Sequence, residues 1–146
     1  MDDDEVFMPE FIRTDTEYAM RALVYLALNG KETHVAAKEI AKGQDIPEDF
    51  AYKILRKLTR SGLTVCHMGH SGGFKLARRP DEITFLQVVT AIQGPVMIKK
   101  CCLDLESCPR GSICGFSAKL TELQDNLVRS FNGITLADVV KQESIV

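Results

Sequence analysis

Hydrophobic positions recur with helical spacing over most of the chain and with strand-like spacing in one short stretch. From Thr14 to Asn29, Ala19, Leu23 and Leu26 form one apolar line with Tyr18, Ala22 and Tyr25 beside it. That spacing predicts an amphipathic helix, stopped at Asn29-Gly30. The run VAAKEIAKGQ predicts a short second helix closed by Gly43. Asp45-Ile46-Pro47 then opens a third helix, Pro47 to Ser61, with Pro47 in its first turn. Phe50, Ile54, Leu55 and Leu58 are expected to pack this third helix on the first two. Beyond Gly62, TVCHM and GFKLA are β-prone runs separated by Gly69-His70-Ser71-Gly72, the pattern of a hairpin. Helical spacing returns from Ile83 to Gln93, with Thr84 as cap and Gly94-Pro95 as stop. Phe116, Leu120, Leu123, Leu127 and Phe131 mark a narrow seam suited to a helix lying lengthwise on another, and ITLADVVKQ predicts one or two further turns.

Short helix, tight turn, longer helix and hairpin is the order of a winged helix-turn-helix. The expected fold class is mainly α with a small β-hairpin. Residues 1–13 read as a loose acidic tail, 14–94 as the winged helix-turn-helix domain, 95–115 as a cysteine-rich loop, and 116–146 as a long C-terminal helix with its tail. A length of 146 residues suits one such unit, and 45% apolar with 26% charged residues is an ordinary globular balance that excludes a disordered or fibrous chain. No apolar run approaches the roughly 18 residues a membrane span needs. The opening MDDDEVF is acidic where a secretory leader is basic, so a cytoplasmic location is expected.

A net charge of −2 argues against nucleic acid until its distribution is considered. Between Phe50 and Pro80 there is no Asp or Glu, whereas Lys53, Arg56, Lys57, Arg60, Lys75, Arg78 and Arg79 all fall there. Lys53, Arg56, Lys57 and Arg60 stand at i, i+3, i+4 and i+7, which makes one cationic stripe on the third helix. B-DNA carries about one charge per 1.7 Å of axis, so such a stripe releases several counterions when it docks in the major groove. Asp49 and Tyr52, nearer the helix start, are better placed for base edges. His67, His70, Gly72 and Lys75 extend the candidate surface onto the wing. Charge runs on helices usually serve solubility alone, but here the stripe coincides with helix-turn-helix spacing, a hairpin and missing acids. No nucleophile–base pair, phosphate loop or pair of acids beside a histidine points to an enzyme.

Five cysteines in a cytosolic chain are poor candidates for a disulfide framework. Cys102, Cys108 and Cys114 form C-x5-C-x5-C within KCCLDLESCPRGSIC. The C-x2-C pairs usual for zinc are absent, and three soft thiolates on a polar loop suit an iron–sulfur cluster, 2Fe-2S or 4Fe-4S. The alternative is cysteines that merely pack or pair as thiols. Cys66, alone on a strand, reads as a buried small residue, and Cys101 as a spare ligand or redox partner.

The segments EYAMRALVYLAL, KEIAKGQDIPEDFAYKILRKLTRSGL, GHSGGFKLAR and FLQVVTAIQG, together with the spaced cysteines, resemble the Rrf-two family of winged-helix regulators, notably its IscR-like and NsrR-like iron–sulfur members. The resemblance runs from about Thr14 to Val140. It implies a homodimer joined through the long C-terminal helix, a palindromic operator, and repressor-type control of DNA binding by the cluster. It also implies a fourth ligand. In IscR-like members this is a His three residues after the last Cys, where this chain has Ser117; in NsrR-like members it is a carboxylate from the other subunit, matched here by Glu17. Thr14-x-x-Glu17 is equally a capping box, which would occupy the same carboxylate. The wing has Met68-Gly69 where the family often has Arg before its glycine. A cluster-free regulator working by thiol oxidation or through a partner protein is one alternative, and a winged-helix protein-interaction module is another.

Overall fold

The computed structural model describes residues 10–30, 32–99 and 114–145. Its centre is α1 (Thr14–Asn29), which buries Ala19, Ala22, Leu23 and Leu26 in the core. Small residues on that face let other helices approach closely, and α2 (Ala37–Gln44), α3 (Glu48–Arg60), α4 (Phe85–Gln93) and α6 (Leu136–Ile145) all pack against it. The helix begins at Thr14 as expected, but its cap is Arg13 and the side chain of Thr14 does not cap it. The second helix does not close at Gly43. It runs on to Gln44 and stops at Asp45, whose φ of 53° is the left-handed turn that ends the hydrogen-bond ladder. Gly43 serves packing instead, because a Cβ there would lie 2.4 Å from the Tyr25 ring.

Ala51, Ile54, Leu55 and Leu58 sink α3 into the core. Phe50, expected among them, is 53% exposed and meets only the edge of Tyr18. One alanine fits where α3 crosses closely, and the phenyl ring one residue earlier is rotated out.

β1 (Thr64–His67) pairs antiparallel with β2 (Gly73–Leu76), Val65 opposite Lys75 and Cys66 opposite Phe74. The hairpin gains a third edge, because Val35 and Phe74 exchange two backbone hydrogen bonds of 2.8 Å. That pairing anchors the wing on the loop before α2, with Phe74 buried as its peg. The approach is close enough that a Cβ on Gly73 would come within 2.3 Å of the Val35 carbonyl oxygen.

α4 starts at Phe85 rather than Ile83, behind a capping box in which Thr84 and Gln87 exchange hydrogen bonds. α5 (Gly115–Gly133) rests on α4 and buries only Ser117 and Gln124. The C-terminal segment is longer than one or two turns. Leu136 enters the core, the Thr84–Thr135 bridge ties the start of α6 to that of α4, and α6 returns to lie on α1. Among the described residues no helix is long and apolar enough to cross a membrane.

Gly73→Ala is expected to lower unfolding free energy by about 1–3 kcal/mol in urea titration, since backbone must move to admit the methyl group. Gly115→Ala, whose Cβ would meet nothing within 4 Å, should leave stability unchanged or slightly raised. Equal effects would contradict the close docking of the wing.

Candidate nucleic-acid interface and cysteine site

Burying one side of α3 leaves the other side clear. Lys53, Arg56, Lys57 and Arg60 are all exposed, and none is in an ion pair among the described residues. The Arg56 guanidinium lies 5.8 Å from the centre of the Tyr52 ring, and Tyr52 meets Phe74 edge-on at 6.3 Å. The start of the stripe is thus braced against the wing by aromatic contacts. Asp49 is exposed in the first turn of α3. Of the other three cations of the acid-free segment, Lys75 lies on the wing and the two arginines that follow it part ways. Arg79 is engaged by Asp81 and Glu82 at 3.2 and 3.7 Å, which neutralises it locally, while Arg78 is exposed.

On the wing, His67 and His70 are exposed, and Gly72 and Lys75 are half-covered. Gly72 holds the tip tight, since a Cβ would fall 2.1 Å from the His67 carbonyl oxygen. His34, beside the Val35 bridge, stacks obliquely on His67 with ring centres 5.1 Å apart. Desolvation lowers the His34 pKa, and the neighbouring Lys75 and His67 push the same way. The sequence alone offered no signal for this pair, because 33 positions separate residues that meet only through the third strand edge.

Cys66 is not buried. Its thiol is exposed and lines a groove between α3 and the wing with Tyr52, Arg56, Arg60 and Met68. The strand is one edge of a narrow hairpin, so its outward positions have nothing to pack against.

Cys101, Cys102 and Cys108 lie outside the described residues. Cys114 is half-exposed at the N-terminus of α5, where its Sγ accepts the Ser117 N–H at 3.4 Å. This end of a helix directs backbone N–H groups at a sulfur and favours an anionic ligand. Among the described residues no three His, Cys, Asp or Glu side chains are gathered to hold a metal ion. Glu17 does not form the expected capping box. Its backbone N–H meets the Arg13 carbonyl, while its side chain is 61% exposed and makes only a long 3.9 Å pair with Arg21. Because the helix is capped one residue earlier, the carboxylate remains available.

Two glutamine amides, Gln124 buried and Gln93 half-buried, are not signalled by the sequence pattern. Gln93, last in α4, accepts from the Arg13 N–H and the Thr16 hydroxyl and donates to the Phe11 carbonyl. Gln124 donates to the Val96 carbonyl at 2.6 Å and accepts from the Ile98 N–H at 2.8 Å. The first fastens the segment before α1 to the end of α4. The second fastens the chain after α4 to α5. A polar residue at an inward position between Leu120 and Leu127 was the available sign for Gln124.

A helix-turn-helix whose α3 presents an exposed cationic stripe beside a braced wing defines a winged-helix DNA-binding protein. The Rrf2 family model, described as an iron-dependent transcriptional regulator, matches residues 12–142. Protein aau3 of Rhizobium meliloti (strain 1021) is 35% identical over 127 residues, spanning 86% of this chain and 82% of that protein. The HTH-type transcriptional regulator IscR of Aliivibrio salmonicida is 27% identical over 128 residues, 88% of this chain and 76% of that one. The structure of CymR (YrzC), the global cysteine regulator of B. subtilis, superposes with a TM-score of 0.69 at 23% identity, covering 92% of this chain and 98% of that one, a likeness of fold. The chain belongs to the Rrf2 family of transcriptional regulators, and is a regulator rather than an enzyme.

By NMR, His34 should titrate below the usual value of about 6.5, and Lys75→Ala should move it upward. Because the folded-state pKa is depressed, the unfolded chain binds the extra proton more readily. This group therefore favours the folded state above about pH 6.5 and loses that contribution as pH falls. A His34 titration insensitive to Lys75→Ala would contradict the arrangement.

Proposed function

We propose that the protein is a cytoplasmic, homodimeric repressor of a palindromic operator, whose grip on DNA is set by an iron–sulfur cluster held by Cys102, Cys108 and Cys114, with the partner subunit's Glu17 as fourth ligand. The observation that carries the DNA half is the exposed stripe Lys53, Arg56, Lys57, Arg60 on the outer side of α3, in no ion pair among the described residues. Asp49 and Tyr52 read base edges, while the stripe, His67, His70, Gly72 and Lys75 meet the backbone. The dimer half is supported by α5, a 19-residue helix that leaves Phe116 67% and Leu123 55% exposed along its apolar seam. A second α5 against it removes that surface from water.

The cluster is supported by chemistry of the donor set: a sulfur at a helix N-terminus that receives a backbone N–H, and a carboxylate left free by the Arg13 cap. The family's iron-dependent description and the relatives named IscR point the same way. When bound, the cluster supplies an iron centre that reacts with oxygen, nitric oxide or oxidants. The chain's own residues then act mechanically. Gln124 holds Val96 and Ile98, the approach to the cysteine segment, on α5; Gln93 holds Phe11, Arg13 and Thr16, the approach to α1, on the end of α4. A change in the cysteine segment is thereby felt at the dimer helix and at the core helix behind α3.

A thiol-based reading keeps one observation in its favour: Cys66 is exposed in the groove beside Arg56 and Arg60, where an adduct would obstruct DNA. It predicts that Cys66→Ser abolishes the response to oxidants, whereas cluster control leaves that response intact.

Protein purified without oxygen should contain iron and acid-labile sulfide and absorb visible light, and Cys108→Ser should lose all three; iron-free protein after reconstitution would remove the cluster. For DNA, Arg56→Ala with Lys57→Ala should flatten the slope of log affinity against log salt by about two. Arg79→Ala, already neutralised by Asp81 and Glu82, should leave it unchanged. Identical slopes in all three proteins would contradict phosphate contact by the stripe.

A further inference from the structure

His34, His67 and Lys75 come from separate segments and share one side of the wing. Val35 and Phe74 pair with both side chains buried, so strand alternation puts their neighbours His34 and Lys75 on the outer side. His67 reaches the same side, because it pairs with Gly73, two residues before Lys75. β2 is the middle strand here, and Gly73 puts no side chain between the imidazoles that come from either edge. Their ring centres are 5.1 Å apart, and the hydrogen bonds between Val35 and Phe74 fix the strands that carry them.

No carboxylate answers this group. Lys75 and both histidines are in no ion pair among the described residues, and neither are the loop's exposed Glu32 and the exposed Lys38 of α2. Glu39 of α2 is engaged by the Tyr25 hydroxyl at 3.2 Å. Desolvation, with Lys75 and His67 acting the same way, holds the His34 pKa down, so this imidazole is neutral near pH 7 in the free protein. A proton on it becomes favourable when an anion supplies the countercharge. The position indicates which anion. His34 stands three residues before Ala37, which lines a cleft of about 450 Å³ with Asp49, Tyr52 and Lys53 of α3. His67 follows Cys66, which lines the groove beside Arg56 and Arg60. The histidine pair is thus bracketed by two openings onto the cationic side of α3, where a duplex presents phosphodiesters.

We propose that His34, His67 and Lys75 form a seat for one DNA phosphate in which His34 takes up a proton, so that the protein binds duplex more tightly as pH falls from about 8 to about 6. The inference rests on the DNA reading above and involves neither the cysteines nor any group they hold. As the phosphodiester arrives, His34 gains a proton from solvent and donates an N–H to a non-bridging oxygen; Lys75 donates another, and His67 has an N–H to donate in either protonation state. The complex then holds one more proton than the free protein. Affinity therefore rises as pH falls through the raised His34 value of the complex, and the gain is complete below the depressed value of the free protein. The opposite sign belongs to a different device, in which a charged His34 repels His67 and Lys75 and loosens the wing from Val35.

The test titrates the full chain into a labelled mixed-sequence duplex at fixed ionic strength, since a phosphate seat needs no particular operator. Affinity should be about tenfold higher at about pH 6 than at about pH 8, the equivalent of one histidine raised by about one pKa unit. His34→Gln should remove most of that ratio. In the wild-type protein, the imidazole NMR signals of His34 should titrate at a higher pH with duplex than without, a readout that does not depend on how any variant folds. Binding that is the same at both pH values, or weaker at the lower one, overturns the proposal and leaves phosphate contact by the α3 stripe standing. A wild-type pH ratio fully retained by His34→Gln overturns it too, as does a His34 titration that duplex does not move. Folded protein that binds no duplex at either pH removes the DNA reading, and this inference with it.

Discussion

Burial of one side of α3 is the constraint on which the rest depends. Ile54, Leu55 and Leu58 are buried in the core centred on α1 and Ala51 is buried with Ala41 and Ile46, which removes this side of the 13-residue helix from water and opposes its rolling. The opposite side is thereby held outward with Lys53, Arg56, Lys57 and Arg60 on it. The wing is fixed relative to that side by a different force: Val35 and Phe74 share backbone hydrogen bonds, and Phe74 touches Tyr52 at the root of the stripe. Core packing and a strand edge thus set the cationic surface as one piece, even though net charge over the whole chain is slightly negative.

The second half of the molecule is attached more sparingly. α5 buries little apart from Ser117 and Gln124, and both are polar. In a low-dielectric setting an amide with both ends satisfied is specific in direction, so Gln124 dictates where Val96 and Ile98 lie in a way apolar packing would not. Gln93 does the same for the residues before α1. Phe131 adds an apolar counterpart, meeting Phe85 at 4.8 Å and Phe11 at 6.2 Å. The segment that leads into the cysteines is therefore tied to α5 at defined atoms, and the segment before α1 to the end of α4.

The class of fold was legible because it rests on local signals. α1 begins and ends where its spacing indicates, Thr84 caps α4, and the hairpin turns at the glycines. What escaped depends on distance along the chain. Gln93 and Gln124 find partners 80 and 28 residues away, and His34 meets His67 only because Val35 joins the wing. Phe50 and Cys66 look apolar in sequence but stand exposed at the protein's surface, which periodicity cannot foretell. The Thr14-x-x-Glu17 capping box failed for a subtler reason. Asp15 bonds the Thr16 N–H and Arg13 caps with its backbone, so the helix begins one residue before the motif requires. The cationic stripe was readable from spacing, and its freedom from ion pairs among the described residues was not.

In the proposed function the occupant of the cysteine segment governs how two recognition helices meet DNA. Fluorescence anisotropy with one operator duplex, at one salt concentration and without oxygen, compares cluster-loaded protein with the same preparation after the iron is removed. Cluster control predicts affinities at least about tenfold apart, equivalent to about 1.4 kcal/mol between the two states. Superimposable binding curves from folded dimers of both forms would contradict it.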